Sequence, residues 1–164
     1  MPIIETAVGF PHLCKAMLTQ NALLAGEESG GYAFKFHIPE RDGILSSLLI
    51  LELLATSKKS LKQLKNEMYD KFGRTFFERS DLTYKIEQQS FIVNKLENIT
   101  IDNIDDKIIT STSNMDGVKF YLEDNSWGTI RISGTEPLIR IYAESNSQEE
   151  VTNIINKLKD YLFC

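Results

Sequence analysis

Apolar residues in this chain change period along its length, and the changes mark out its elements. Behind Pro11, residues 11–19 place Leu13, Ala16 and Met17 at i, i+3 and i+4, which predicts a short helix with proline in its first turn. Residues 22–25 form an apolar run of strand length, broken by the glycine-rich stretch 26–31, and 32–36 alternate as a second strand. A turn over 39–43 leads into an apolar helix at 44–56. Ser60 and Gln63 form a capping box for a further helix with the stripe Leu61, Leu64, Met68 and Phe72, stopped at Gly73. Residues 75–84 are extended, without Gly or Pro, and read as a connection between two units.

The second half begins with a helix over about 87–97, with Phe91, Val93 and Leu96 expected to face inward. Strands are predicted at 107–112, 118–122, 129–133 and 138–143, separated by Asp116-Gly117, Asp124-Asn125 and Ser133-Gly134-Thr135-Glu136-Pro137. Trp127 reads as a core anchor at a strand start. A last helix at 147–162 gathers Val151, Ile154, Ile155, Leu158 and Leu162 on one face. Helix, strands and terminal helix in this order predict an α+β unit with helices on one face of the sheet.

Composition narrows the function classes. The 164 residues are 42% apolar, with nine Phe, six Tyr and one Trp, which is material for real cores and not for a disordered chain. The net charge of −5, without a Lys/Arg block, argues against a general nucleic-acid binder. The apolar run 44–55 carries Ser46, Ser47 and Glu52 and is too short to span a bilayer; the N-terminus has no signal-peptide pattern. Cys14 and Cys164 read as free thiols of a cytoplasmic protein. Neither His12 nor His37 has a partner at metal-ligand spacing, and Asp102-Asn103-Ile104-Asp105-Asp106 lacks the glycine and glutamate of a calcium loop, so no metal site is expected. No residue set reads as a catalytic nucleophile with its base.

Two loops carry candidate chemistry. In Gly26–Gly31, three glycines flank Glu27, Glu28 and Ser29. Carboxylates accept sugar O–H groups, Ser Oγ donates and accepts, and glycine lets a ligand approach the backbone. An acidic hairpin loop without a ligand is the competing reading. In residues 131–140, Arg131 and Arg140 bracket Ser133, Gly134 and Thr135, supplying the planar donors, hydroxyls and open backbone N–H groups that a phosphate dianion requires. Arg131 and Ser133, two apart, share a strand face. The alternative is a hairpin turn with solvated strand-edge arginines. His37, before the turn at 39–43, and Arg41 are candidate site linings.

Together, GEESGGYAFKFHIPERDGI and WGTIRISGTEPLIRIYAES closely resemble the C-terminal part of the α-D-phosphohexomutases, the phosphoglucomutase/phosphomannomutase enzymes; ETAVGF and KFGRTFFERSDL are also similar to that family. The resemblance implies a partial α/β domain followed by a small TATA-binding-protein-like domain. Residues 1–72 would be the later part of the sugar-binding third domain, 73–84 a linker, and 85–164 the phosphate-binding fourth domain. It implies that Glu27 and Ser29 hold sugar hydroxyls. It also implies that Arg131, Ser133, Gly134, Thr135 and Arg140 hold the phosphate that is not being transferred.

The family reaction passes phosphate from a phosphoserine to a hexose phosphate and takes the other phosphate back from a bisphosphate intermediate, with Mg2+. The Thr-x-Ser-His-Asn-Pro-like serine loop and the Asp-x-Asp-x-Asp-Arg-like metal loop do not occur here. Pro11 stands where many relatives carry a lysine, and Gly31 where some carry a histidine. The expectation is a C-terminal portion of a phosphohexomutase that binds hexose phosphate, holds no cofactor of its own and is inactive alone. Its partners would be the missing N-terminal domains or, through an exposed sheet edge in residues 1–72, another copy of itself. The alternative is a stand-alone sugar-phosphate-binding module; nucleic acid and membrane are not expected partners.

Overall fold

A computed structural model describes residues 2–163, and its contacts divide the chain into a unit ending at Gly73 and a unit beginning at Arg74. In the first unit, α1 (Phe10–Gln20) starts at Gly9, with Pro11 in its first turn, and ends on the left-handed Asn21. The antiparallel strands β1 (Leu24–Gly26) and β2 (Tyr32–Phe34) form a hairpin with Gly26 opposite Tyr32. The helix α2 (Gly43–Ser57) is capped by Asp42, whose Oδ1 accepts from the Leu45 N–H at 2.9 Å, and α3 (Leu61–Phe72) opens with the Ser60/Gln63 capping box.

The core of this unit is small: Phe10, Met17, Ala25 and Ala33 are buried, with Leu13, Cys14 and Ala22 against them. Neither α2 nor α3 contains a buried side chain. The apolar stripe of α3 therefore lies mostly outside: Leu61, Met68 and Phe72 are exposed, and Leu64 is half-buried. An apolar stripe needs a facing layer, and within this unit the hairpin is already covered by α1. Cys14 carries a free thiol, which donates to the Pro39 carbonyl; Cys164 lies outside the described residues.

The second unit is built on one antiparallel sheet in the order β3-β8-β7-β6-β5-β4, comprising β3 (Phe76–Thr83), β4 (Asn103–Ile104), β5 (Lys107–Ser113), β6 (Val118–Leu122), β7 (Trp127–Ile132) and β8 (Leu138–Ser145). A 3-10 turn (Ile86–Gln88), α4 (Gln89–Glu97) and α5 (Gln148–Phe163) complete it. Along β6, β7 and β8 burial alternates strictly enough to set one face against helices: Phe120, Ile130, Ile139, Ile141 and Ala143 pack with Ile92, Val151, Ile154 and Leu158. Gly128 lies on this face because a Cβ there would meet Ile154 Cγ2 and Leu158 Cδ1 at 2.8 Å, so its absence lets α5 pack directly against β7.

Three expectations are corrected. Residues 73–84 are not chiefly a linker: Phe76–Thr83 is an edge strand paired along its length with β8, from Phe76 opposite Ser145 to Thr83 opposite Leu138. The extended, β-favouring side chains of this stretch find a partner strand, with Phe76 and Leu82 packing against the core. On α4 Leu96 is buried as expected, but Phe91 is exposed and Val93 half-buried, and Ile92 between them takes the inward position. Trp127 is no core anchor. Its parity is opposite to that of Gly128 and Ile130, so it lies half-buried on the outer face, 6.1 Å from Phe77, with Lys119 Nζ 4.4 Å from its ring centroid.

Candidate functional site

The phosphate-loop candidates sit where β7 turns into β8. Ser133 N–H donates to the Leu138 carbonyl at 2.8 Å and Leu138 N–H to the Glu136 carbonyl at 2.7 Å, which closes the turn and leaves Gly134, Thr135 and Glu136 exposed at its tip. Ser133 is buried, and its Oγ lies 3.4 Å from Thr135 Oγ1. The register places Arg131 directly opposite Arg140, and Asp81 of β3 opposite Arg140 on its other side. Two guanidinium groups thus share one outer sheet face beside a turn carrying two hydroxyls. Planar guanidinium donors beside hydroxyls are chemically able to hold a dianion.

The charges are only partly compensated. Arg131 Nε donates to Asp116 Oδ1 at 2.9 Å, and Arg140 Nη2 lies 3.2 Å from Glu136 Oε2. Arg140 Nε is buried and has no hydrogen-bond partner among the described residues. Asp81 takes both its oxygens to Arg79, at 2.7 and 2.6 Å. That hydrogen bonding, with the charges of Arg79 and Arg140, holds its carboxyl below the usual carboxylate range against the opposing effect of burial. Facing like charges and an unpaired buried donor cost stability, and a bound anion is the kind of group that would offset both.

The sugar-loop candidates occupy the β1–β2 connection. Glu27 N–H donates to the Gly31 carbonyl at 2.9 Å and Gly30 N–H to the Glu27 carbonyl at 3.0 Å, a tight turn that uses the positive φ of +91° at Gly30. The Glu27 carboxylate lies 3.5 Å from Arg41 Nη1, and that guanidinium stands 5.5 Å from the Phe10 ring centroid. Ser29 is exposed at the turn tip. His37 Nε2 lies 3.0 Å from Asp42 Oδ2. Asp42 is held below its ordinary pKa first by the Leu45 N–H and then by His37.

Glu27 and Arg41 are therefore brought together, whereas His37 is engaged by the helix-capping Asp42. Two residues escaped the sequence reading. Asp42 is legible as an N-cap before a helix; Asp116 was visible only as half of an Asp-Gly turn. Among the described residues no group of three or more His, Cys, Asp or Glu side chains could hold a metal ion.

Comparison with known proteins covers both units. Residues 1–72 match the family description "Phosphoglucomutase/phosphomannomutase, alpha/beta/alpha domain III", and residues 93–160 match its C-terminal domain. A phosphoglucosamine/phosphogalactosamine mutase from Sulfurisphaera tokodaii is 32% identical over 161 residues, covering 94% of this chain and 32% of that protein. A phosphoglucomutase/phosphomannomutase from Thermococcus kodakarensis is 32% identical over 150 residues, covering 90% of this chain and 30% of the relative. The crystal structure of a phosphoglucomutase/phosphomannomutase family protein from Burkholderia thailandensis superposes with a TM-score of 0.72 at 19% identity, over 96% of this chain and 31% of that one, which supports the fold. The chain spans about a third of the length of the curated relatives it matches. Both halves thus point the same way, and the chain belongs to the phosphoglucomutase/phosphomannomutase family, corresponding to its domain III and C-terminal regions.

Proposed function

We propose that this chain provides the sugar- and phosphate-recognition portion of a phosphohexomutase, an enzyme that interconverts hexose 1-phosphate and 6-phosphate through a bisphosphate. The observation that carries it is the register pairing of Arg131 with Arg140 beside Ser133 and Thr135. In this reading Arg131, Arg140, the two hydroxyls and the Gly134 backbone take the non-transferring phosphate, while Glu27 and Ser29 accept and exchange hydrogen bonds with sugar hydroxyls. Arg41, seated against Glu27, orients that carboxylate, and His37, engaged by Asp42, is a further lining residue of the same unit.

The phosphoryl-transfer step itself needs a nucleophile and a metal-held phosphate, and these residues include neither the serine loop nor the metal loop of the family. Recognition without them leaves the barrier untouched. Cytoplasmic placement is part of the proposal, supported by the free thiol at Cys14; no described helix is long and apolar enough to cross a membrane. The test is calorimetric titration with glucose 6-phosphate, in which Arg131→Ala should abolish binding. Unchanged binding by that variant would refute the assignment.

One observation favours a second reading, the stand-alone binding module: the phosphate loop lies wholly within a unit whose buried apolar residues, among those described, form one core. Submillimolar affinity for glucose 6-phosphate in the isolated chain would select it, and weaker binding would select the portion of a larger enzyme.

A further inference from the structure

We infer that Asp116 is a positioning residue for phosphate capture: it holds Arg131 by Nε and so presents the opposite Nη edge of the guanidinium to the anion. The inference rests on the phosphate reading of residues 131–140 and goes beyond the residues that the loop motif contains.

Two independent features of the β5–β6 turn support it. The first is the hydrogen bond from Arg131 Nε to Asp116 Oδ1 at 2.9 Å, between side chains only 18% and 29% exposed. The second is the neighbouring Gly117. Its φ is +80°, and a Cβ at this position would collide with the Ile130 carbonyl oxygen and lie 2.9 Å from Arg131 Cα. The turn is thus pressed against the β7 backbone at the residue whose side chain Asp116 grips. Only glycine permits that approach. A guanidinium has two donor edges, and a carboxylate fixed on Nε removes the rotational freedom with which the group would otherwise meet phosphate.

The opposite role is physically open to a carboxylate in this place. As an anion near the phosphate position, Asp116 would repel the ligand or compete with it for Arg131. The two roles predict opposite signs, which makes the question answerable. If Asp116 competes, its removal strengthens phosphate binding. If it positions, removal weakens binding by roughly tenfold, the scale of one oriented hydrogen bond to a charged group. Asp116→Asn separates orientation from charge, because the amide oxygen can still accept from Nε without the negative charge.

The experiment uses the full 164-residue chain, labelled with 15N and titrated with inorganic phosphate and with glucose 6-phosphate. Amide shifts at 133–135 report binding, and the Arg131 Nε–H signal reports the Asp116 contact. The expected results are binding about tenfold weaker in Asp116→Ala, binding as tight as or tighter than the parent in Asp116→Asn, and an Arg131 Nε–H signal kept distinct in Asp116→Asn but averaged by solvent exchange in Asp116→Ala. Equal or tighter binding by Asp116→Ala overturns the inference.

Arg131→Ala serves as the separate control on the phosphate reading: if it binds like the parent, that reading has failed, whatever Asp116 does. If the parent itself gives no shifts at 133–135, the Nε–H signal decides alone, and an unchanged signal in Asp116→Ala overturns the positioning role. Thermal melts of each variant separate lost orientation from lost folding.

Discussion

Replacing Arg140 by Met should make the second unit more stable while removing its response to phosphate. Met keeps most of the aliphatic stem and discards the guanidinium. In the parent, Arg140 Nε is buried without a partner among the described residues, and the side chain is 22% exposed. An unsatisfied buried donor costs about 1–3 kcal/mol. Facing Arg131 directly across the β7–β8 pair adds several tenths of a kcal/mol of like-charge repulsion. Against this stands the ion pair to Glu136, whose side chain is 56% exposed and which contributes about 0.5 kcal/mol at most. Asp81 loses a neighbour but keeps both hydrogen bonds to Arg79.

The net expectation is stabilisation by about 1–2 kcal/mol, or roughly 4–8 °C in Tm for each kcal/mol in a unit of this size. Urea denaturation in phosphate-free buffer measures it, followed by fluorescence of Trp127, the single tryptophan, which lies in this unit and on its outer face. Added phosphate should then stabilise the parent, by about 2.7 kcal/mol at a hundred times its Kd, and leave Arg140→Met unmoved. Destabilisation of Arg140→Met by more than 1 kcal/mol, or an equal phosphate response in both proteins, would refute the reasoning.

Other outcomes follow from the same geometry. Burial alone would raise the pKa of Asp124, but hydrogen bonds from Lys107 Nζ at 2.7 Å and from Ser126 outweigh it and hold the carboxyl at about 2. A depressed carboxylate contributes stability above its unfolded pKa and loses it as pH falls through the folded one. Roughly 2 kcal/mol should therefore disappear between about pH 5 and pH 2, and Asp124→Asn should flatten that limb of a urea-melt series; an unchanged limb contradicts the assignment. In the first unit, Ile44, Leu48 and Leu51 form an exposed stripe on α2, so the chain should self-associate, and the paired change Leu48→Glu with Leu51→Glu should reduce it. A strictly monomeric parent at high concentration by light scattering would sink that expectation. A coupled assay with glucose 1-phosphate and a bisphosphate primer should register no turnover by this chain, and measurable activity would count against the division of labour proposed for it.

The parts of the fold that were legible are those where local pattern and tertiary demand agree. Strands β6 to β8 alternate because one face meets helices, and α5 carries its stripe at Val151, Ile154, Ile155, Leu158 and Leu162, all buried. The edge strand β3 was hidden because its outward residues are mixed, Phe77 and Arg79 and Asp81, and only the existence of β8 gives the stretch a partner. On α4 the consecutive Phe91, Ile92 and Val93 fit two helical phases, and packing against the sheet, which sequence does not carry, chooses Ile92.

The site divides in the same manner. Arg131 and Arg140 bracket a turn in the sequence, but their direct opposition is a property of register. Asp116 lies fifteen residues from Arg131 and reaches it only because Gly117 lets one hairpin turn lie against the next strand.

The most direct measurement is a map of backbone amide shifts in the intact chain under three ligands: glucose 6-phosphate, inorganic phosphate and glucose. Capture of phosphate by the β7–β8 turn predicts that both phosphorylated ligands move the signals of Ser133, Gly134 and Thr135 and that glucose does not. Shifts centred elsewhere, or equal shifts with glucose, would contradict it.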